Sequence, residues 1–251
     1  MAGLLPACVA VAAGAGGSAP PRHPAAFPEE LGRIAHAAPA RREEFLQVRQ
    51  CARRALTPAG FRAGPLLPGA DRAPRWPAGA VGSMTHCTGY RAAAVAAVSR
   101  IRAVGIDAEP HESLPPEAGA LITDAAERAA LERLSARHPR VHWGRLLFSA
   151  KESVFKAWYP LTGQWLDFHD ARVTLHPESR TFTADLAETR LRGRWAATPR
   201  LLTTAVALPA RRDRTGHAGP ARAGCRAAPP AKPTPLITAA VDTSPRSRPG
   251  R

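Results

Sequence analysis

A chain of 251 residues with 45% hydrophobic content can bury one large core or two small ones. Its formal charge of +15 would point to nucleic acid, an anionic membrane or a polyphosphate, yet arginine outnumbers lysine 32 to 3 amid abundant Ala, Pro and Gly. Part of the excess sits in the last 42 residues, nine Arg or Lys against two Asp, so charge alone selects no partner.

Leu4 to Ala13 reads as a short buried strand, followed by a Gly/Pro-rich loop to Pro28. No basic residue precedes Arg22 and Pro6 interrupts the apolar start, which argues against a signal peptide. Cys8, Cys51, Cys87 and Cys225 form no CxxC pair, which argues against a zinc site or a disulfide framework and fits a reducing cytosol. From Glu29 to Leu56 the spacing of Phe45, Val48, Ala52 and Ala55 predicts a helix, with Arg41, Arg42, Arg49, Arg53 and Arg54 as polar positions. Five prolines make Thr57 to Gly79 a loop. Gly82 to His86 is a short strand or turn, Arg91 to Ser99 fits either strand or helix, and Ile101 to Glu109 alternates as a strand. Thr123 or Asp124 can cap a helix to about Ala136, and a second helix over Gly144 to Trp158 should stop near Pro160. Ala171–Leu175, Thr181–Leu186 and Leu201–Leu208 read as strands. After Pro209 the composition cannot repay ordering entropy, and residues 210–251 are expected to be disordered.

Four clusters carry chemistry. In Gly105-Ile106-Asp107-Ala108-Glu109 the two acids share one face of a strand, roughly 6–7 Å apart. Side-by-side carboxylates suit Mg²⁺, which takes oxygen ligands and bridges to phosphates, though a solvated strand edge gives the same pattern. In Phe148-Ser149-Ala150-Lys151-Glu152-Ser153-Val154-Phe155-Lys156, two of the three lysines of an arginine-using chain stand five apart. Glu152 and Lys156 share a helix face, as a surface ion pair or as a third metal carboxylate with a cation beside a phosphate. Gly82-Ser83-Met84-Thr85-His86-Cys87 has the small and hydroxylated residues that wrap a phosphate, or is structural. Arg41 and Arg49, eight apart, either bind phosphate oxygens or are solvated.

Taken in order, GSMTHC, GIDAE and FSAKES-x-x-K resemble the 4'-phosphopantetheinyl transferases of the Sfp/EntD class, closest to actinobacterial members. VRQCARRAL (48–56), RAPRWPAGAVGS (72–83), HWGRLLFSAKES (142–153) and LRGRW (191–195) extend the likeness over about residues 4–208. The resemblance implies an α+β pseudo-dimer of two similar halves, 1–103 and 104–209, with coenzyme A between them and the 210–251 tail outside. It implies that Asp107, Glu109 and Glu152 bind Mg²⁺, with Ala108 offering only its backbone. Glu152 would act as base toward a carrier serine, Lys156 would steady the leaving group, and Lys151 would stand close by. Arg41, Arg49, Arg72, Thr85 and His86 match positions near the nucleotide and its 3'-phosphate. Val48 stands where many members have glycine, and Arg72 is the loosest of these matches. The partners implied are acyl and peptidyl carrier proteins, for a cytoplasmic monomer with no nucleic acid and no stable membrane association. A nucleic-acid-binding module would use the basic tail, but that tail has no aromatic residues; another Mg²⁺-dependent phosphoryl or nucleotidyl transferase would fit the acids but not the ordered motifs.

Overall fold

The computed structural model describes residues 1–15, 26–187 and 189–210; the expected tail disorder and most of the Gly/Pro-rich loop lie outside them. Pro39 divides the predicted long helix. Its ring holds Ala38 extended (ψ 149°) and then sits in the first turn of the next helix, where no donor is needed. The result is α1 (Pro28–Arg33) and α2 (Pro39–Leu56). The start of the chain is a 3₁₀ turn, Ala2–Leu4, and then β1 (Ala10–Ala15), later than its sequence pattern implied. β2 (Ala80–Cys87) and β3 (Tyr90–Ala97) form a hairpin, and β4 (Ile101–Pro110) follows. The alanine run of β3 has no polar alternation because both of its faces are covered.

Beyond β4 come α3 (Pro116–Ile122), α4 (Ala125–Arg137) and α5 (Trp143–Thr162). Asp124 caps α4 in a reciprocal box with Glu127. α5 runs through Pro160, contrary to the sequence expectation: so near the end, the ring forfeits only one donor, and Gly163 closes the helix at φ 64°. β5 (Arg172–His176), β6 (Thr181–Leu186), β7 (Thr189–Ala197) and β8 (Leu201–Pro209) complete the fold. Both α3 and β7 went unread in the sequence.

The strands form two antiparallel sheets, β1-β3-β2 and β4-β8-β7-β6-β5. Each follows one plan: a first strand, a long helix, then strands whose last member returns beside the first. α2 packs on Ala93 and Val95 of the first sheet. α5 packs on Val173, Phe182, Leu202 and Val206 of the second. Between the sheets Ala92, Ala94 and Ala96 meet Val104, Ile106 and Ala205, the alanines being small enough to permit close approach. Among the described residues no helix is long and apolar enough to cross a membrane.

Two hydroxyls sew the sheets together. Ser83 and Thr85, two apart on β2, accept the amides of Ile106 and Ala108 on β4, each at 3.1 Å. The period of two on both strands makes these bonds repeat, as alternate residues face one way. Gly105 seats the other layer. A Cβ there would lie 2.0 Å from Ser153 O and 2.7 Å from Ala157 N, so α5 rests directly on the β4 backbone. Gly105→Ala should therefore force helix and strand apart, lowering unfolding free energy by about 2–3 kcal/mol in urea titration.

Candidate active site

β4 and α5 bring four charged side chains into one electrostatic set. Asp107 is buried, and its Oδ1 accepts from Lys156 Nζ at 2.7 Å and from Thr85 Oγ1 at 3.1 Å. Glu109, two residues on, accepts from Arg145 Nη1 at 3.1 Å. Burial, with Asp107 nearby, raises the Glu109 carboxyl to about 8; burial also raises Glu152, to about 7, against the opposing pull of Lys156. Lys156 is raised as well: desolvation would lower it, but Asp107 and Glu152 outweigh that loss. The ion pair is thus Lys156 to Asp107 across elements, not Lys156 to Glu152 along the helix.

Helix α5 is held in this register from both sides. Thr204, the cross-strand partner of Asp107, donates to Ser149 O at 2.8 Å, and the two hydroxyls meet at 2.9 Å. Arg145, Ser149, Glu152 and Lys156 follow a 4-3-4 spacing and so line one helix face. Arg145 also donates to Ser113 O at 2.9 Å, which fixes the guanidinium that holds Glu109. Sequence reasoning missed Arg145, although that spacing would have found it.

A second charged group lies where α2 meets the ends of β2 and β3. Arg41 Nη1 stands 3.2 Å from His86 Nε2, and Glu44 lies among Arg41, His86 and Arg91 at 3.4, 3.5 and 3.8 Å. A hydrogen bond with His86, with the cations adding to it, holds the Glu44 carboxyl down at about 2. Glu44 was not read from the sequence, because its role depends on strands that follow it by some 40 residues. Arg72 sits at the turn of a tight loop with φ 65°, beside Asp71, whose carboxylate accepts the Ala73 amide at 3.1 Å.

Several expected roles need correction. Lys151 does not stand beside Lys156: its ammonium is buried and donates to Ile122 O (2.8 Å), Glu127 Oε2 (2.8 Å) and Phe168 O (2.7 Å). Five residues along a helix turns a side chain well away from its neighbour's face, and here that face meets α3 and α4. Arg49 is buried too, bonded to Leu66 O at 2.7 Å and stacked on the Phe45 ring, so it anchors the proline-rich loop. GSMTHC is a ladder-paired strand and not a phosphate-wrapping loop. Its Thr85 hydroxyl serves Asp107 and Ala108, and the Ala108 amide is thereby already engaged. Gly82 is there because a Cβ would meet the Trp76 ring at 2.6 Å.

The side chains fit a hard cation in chemistry. Asp107 Oδ2 is buried without a hydrogen-bond partner, and two neighbouring carboxyls are held above their usual range by burial, a strain that a cation would relieve. Among the described residues, however, no three His, Cys, Asp or Glu side chains are gathered into a ready-made metal cage.

Known proteins match both halves of the described chain. Positions 27–96 match the 4'-phosphopantetheinyl transferase N-terminal domain, and 103–205 match the 4'-phosphopantetheinyl transferase superfamily. The chain is 53% identical over 194 residues to 4'-phosphopantetheinyl transferase Svp of Streptomyces mobaraensis, covering 73% of this chain and 79% of that protein. It is 43% identical over 196 residues to 4'-phosphopantetheinyl transferase PptT of Mycobacterium tuberculosis, covering 72% and 86%. Enterobactin synthase component D of Salmonella typhi is 39% identical over 127 residues, 50% of this chain and 51% of that one.

The buried Lys151–Glu127 pair makes a stability prediction. Lys151→Met removes the ammonium and leaves Glu127 and two carbonyls without their donor. It should cost about 3–5 kcal/mol in equilibrium denaturation.

Proposed function

The chain belongs to the 4'-phosphopantetheinyl transferase superfamily, and from that premise we propose that it moves the phosphopantetheine arm of coenzyme A onto a serine of acyl or peptidyl carrier proteins. The observation that carries the reading is the convergence of β4 and α5 on one charged set, Asp107, Glu109, Glu152 and Lys156. We read the chain as two halves, 1–103 and 104–209, with the coenzyme between them.

In this reading the carrier serine oxygen attacks the β-phosphorus of coenzyme A. The bond from that phosphorus to the bridging oxygen breaks, and 3',5'-ADP leaves. Glu152, which has no hydrogen bond or ion pair within the described residues, takes the serine proton. Lys156 offsets the charge that builds on the leaving phosphate, and its bond to Asp107 orients it for that task. Asp107, Glu109 and Glu152 would hold Mg²⁺, which when bound supplies charge neutralisation and orientation of the pyrophosphate. Arg41, exposed on α2, and the half-buried His86 near the end of β2 would meet coenzyme A phosphate, with Arg72 in the loop that precedes β2. Arg49 is withdrawn from direct contact by its buried bonds and supports the loop instead.

Intact-mass analysis of an apo carrier protein incubated with this protein, coenzyme A and Mg²⁺ tests the reaction. The carrier should gain one phosphopantetheine; an unmodified carrier, with several carriers tried, would overturn the assignment. Asp107→Ala should abolish transfer, and chelation should silence the wild type until Mg²⁺ is restored; full activity in metal-free protein would remove the cation from the scheme.

A matched pair of variants separates chemistry from packing. Glu152→Gln keeps the size and helix preference of the side chain but removes its charge, and should lower turnover by roughly 10²- to 10⁴-fold. Lys156→Arg keeps the charge while changing donor geometry, and most turnover should be lost with little change in melting temperature. Near-normal turnover in both, with both substrates saturating, would return this face of α5 to a structural role.

A further inference from the structure

Glu44 stands where a carboxylate is least expected, inside the cationic group assigned to phosphate. It follows Arg41 by three residues on α2, so it projects from the same helix face toward His86 and Arg91. Its contacts, 3.4, 3.5 and 3.8 Å, are longer than the 2.7–3.1 Å of the ion pairs Lys156–Asp107, Lys151–Glu127 and Arg145–Glu109. A hydrogen bond with His86, with Arg91 and Arg41 adding to it, holds its carboxyl well below the usual range, so it is an anion at neutral pH.

The three basic side chains around it differ in how tightly they are held. Arg91 is nearly buried, and its guanidinium donates to the carbonyls of Cys87 and Tyr90, so it stays in place whether or not Glu44 faces it. Arg41 is 60% exposed and His86 35%, so both can turn toward an incoming group. A phosphate monoester carries more charge and more acceptor oxygens than one carboxylate, and it can take over these donors. Glu44, tethered to the helix, remains close by and repels it.

We propose that Glu44 is a built-in counter-anion of the phosphate subsite, which competes with the phosphate monoester of the ligand and thereby speeds its departure. This rests on the reading that Arg41 and His86 meet that phosphate. The competition falls hardest on 3',5'-ADP, which after transfer is held by its phosphates without the pantetheine arm. A site of arginines and histidine alone would retain this product; one that carries its own carboxylate refills as the product leaves.

Calorimetric titration of the full chain with 3',5'-ADP, coenzyme A and dephospho-coenzyme A tests the idea. Glu44→Gln should bind 3',5'-ADP about tenfold more tightly than the wild type, equivalent to about 1.4 kcal/mol, and should leave dephospho-coenzyme A within about twofold. Product inhibition of transfer should strengthen in parallel. Glu44→Ala, checked by melting temperature, guards against an effect peculiar to glutamine. Weaker or unchanged 3',5'-ADP binding in both folded variants would make Glu44 a scaffold and overturn the inference alone. Arg41→Ala and His86→Ala report on the underlying reading: both should weaken 3',5'-ADP while sparing dephospho-coenzyme A. If neither loses 3',5'-ADP affinity, the subsite itself is misplaced and the inference falls with it.

Discussion

The two sheets are joined by side-chain hydroxyls where a continuous sheet would use backbone. Ser83 and Thr85 on β2 accept the amides of Ile106 and Ala108 on β4, and the Thr85 hydroxyl donates a hydrogen bond to Asp107. Each such buried bond is worth about 1 kcal/mol net, but an unpartnered buried amide would cost more, so the seam is fixed by what its absence would entail. The charged side chains of β4 inherit their position from that seam. A strand that slipped by one residue against β2 would turn Asp107 and Glu109 to the opposite face.

The second constraint is proximity. Gly105 lets the backbone of α5 touch β4, and the Ser149–Thr204 bonds lock the helix beside Asp107. Only with the layers this close can Lys156 reach Asp107 at 2.7 Å while Glu152 shares the same field. A larger residue at 105 would widen the gap that this ion pair spans.

Buried charge serves two purposes in this chain. Arg53 bonds both oxygens of the fully buried Glu30, at 2.8 and 2.9 Å, and Glu30 also accepts the Leu66 amide, tying α1, α2 and the proline-rich loop. Lys151 and Glu127 do the same for α3, α4, α5 and β5, since Glu127 further accepts the Val173 amide. In these pairs the donors and acceptors are satisfied from within. Asp107 keeps one buried oxygen without a partner, and Glu109 and Glu152 hold their protons above the ordinary carboxylate range. This unmet need sets the β4–α5 carboxyls apart from the internally satisfied pairs.

From the sequence alone the strand periodicity of 101–109, the capped helix at Asp124, the lysine-bearing helix face and the order of three motifs were legible, because each depends on spacing within a few residues. Those local patterns were enough to indicate the family and to pair Asp107 with Glu109 and Glu152 with Lys156 on common faces. They could not show that Lys151, Arg49 and Thr85, whose types suit phosphate, have partners within the protein (Glu127 and Phe168, Leu66, Asp107) that lie 17 to 24 residues away. Glu44 was passed over because His86 and Arg91 lie 42 and 47 residues beyond it; Arg145 shares the helix face of Glu152 and Lys156, but its bond to Glu109 spans 36 residues. A side chain's type and helical or strand phase are local properties; whether its charge is spent on the protein or left for a ligand is decided by which distant backbone packs against it, and only the tertiary structure fixes that.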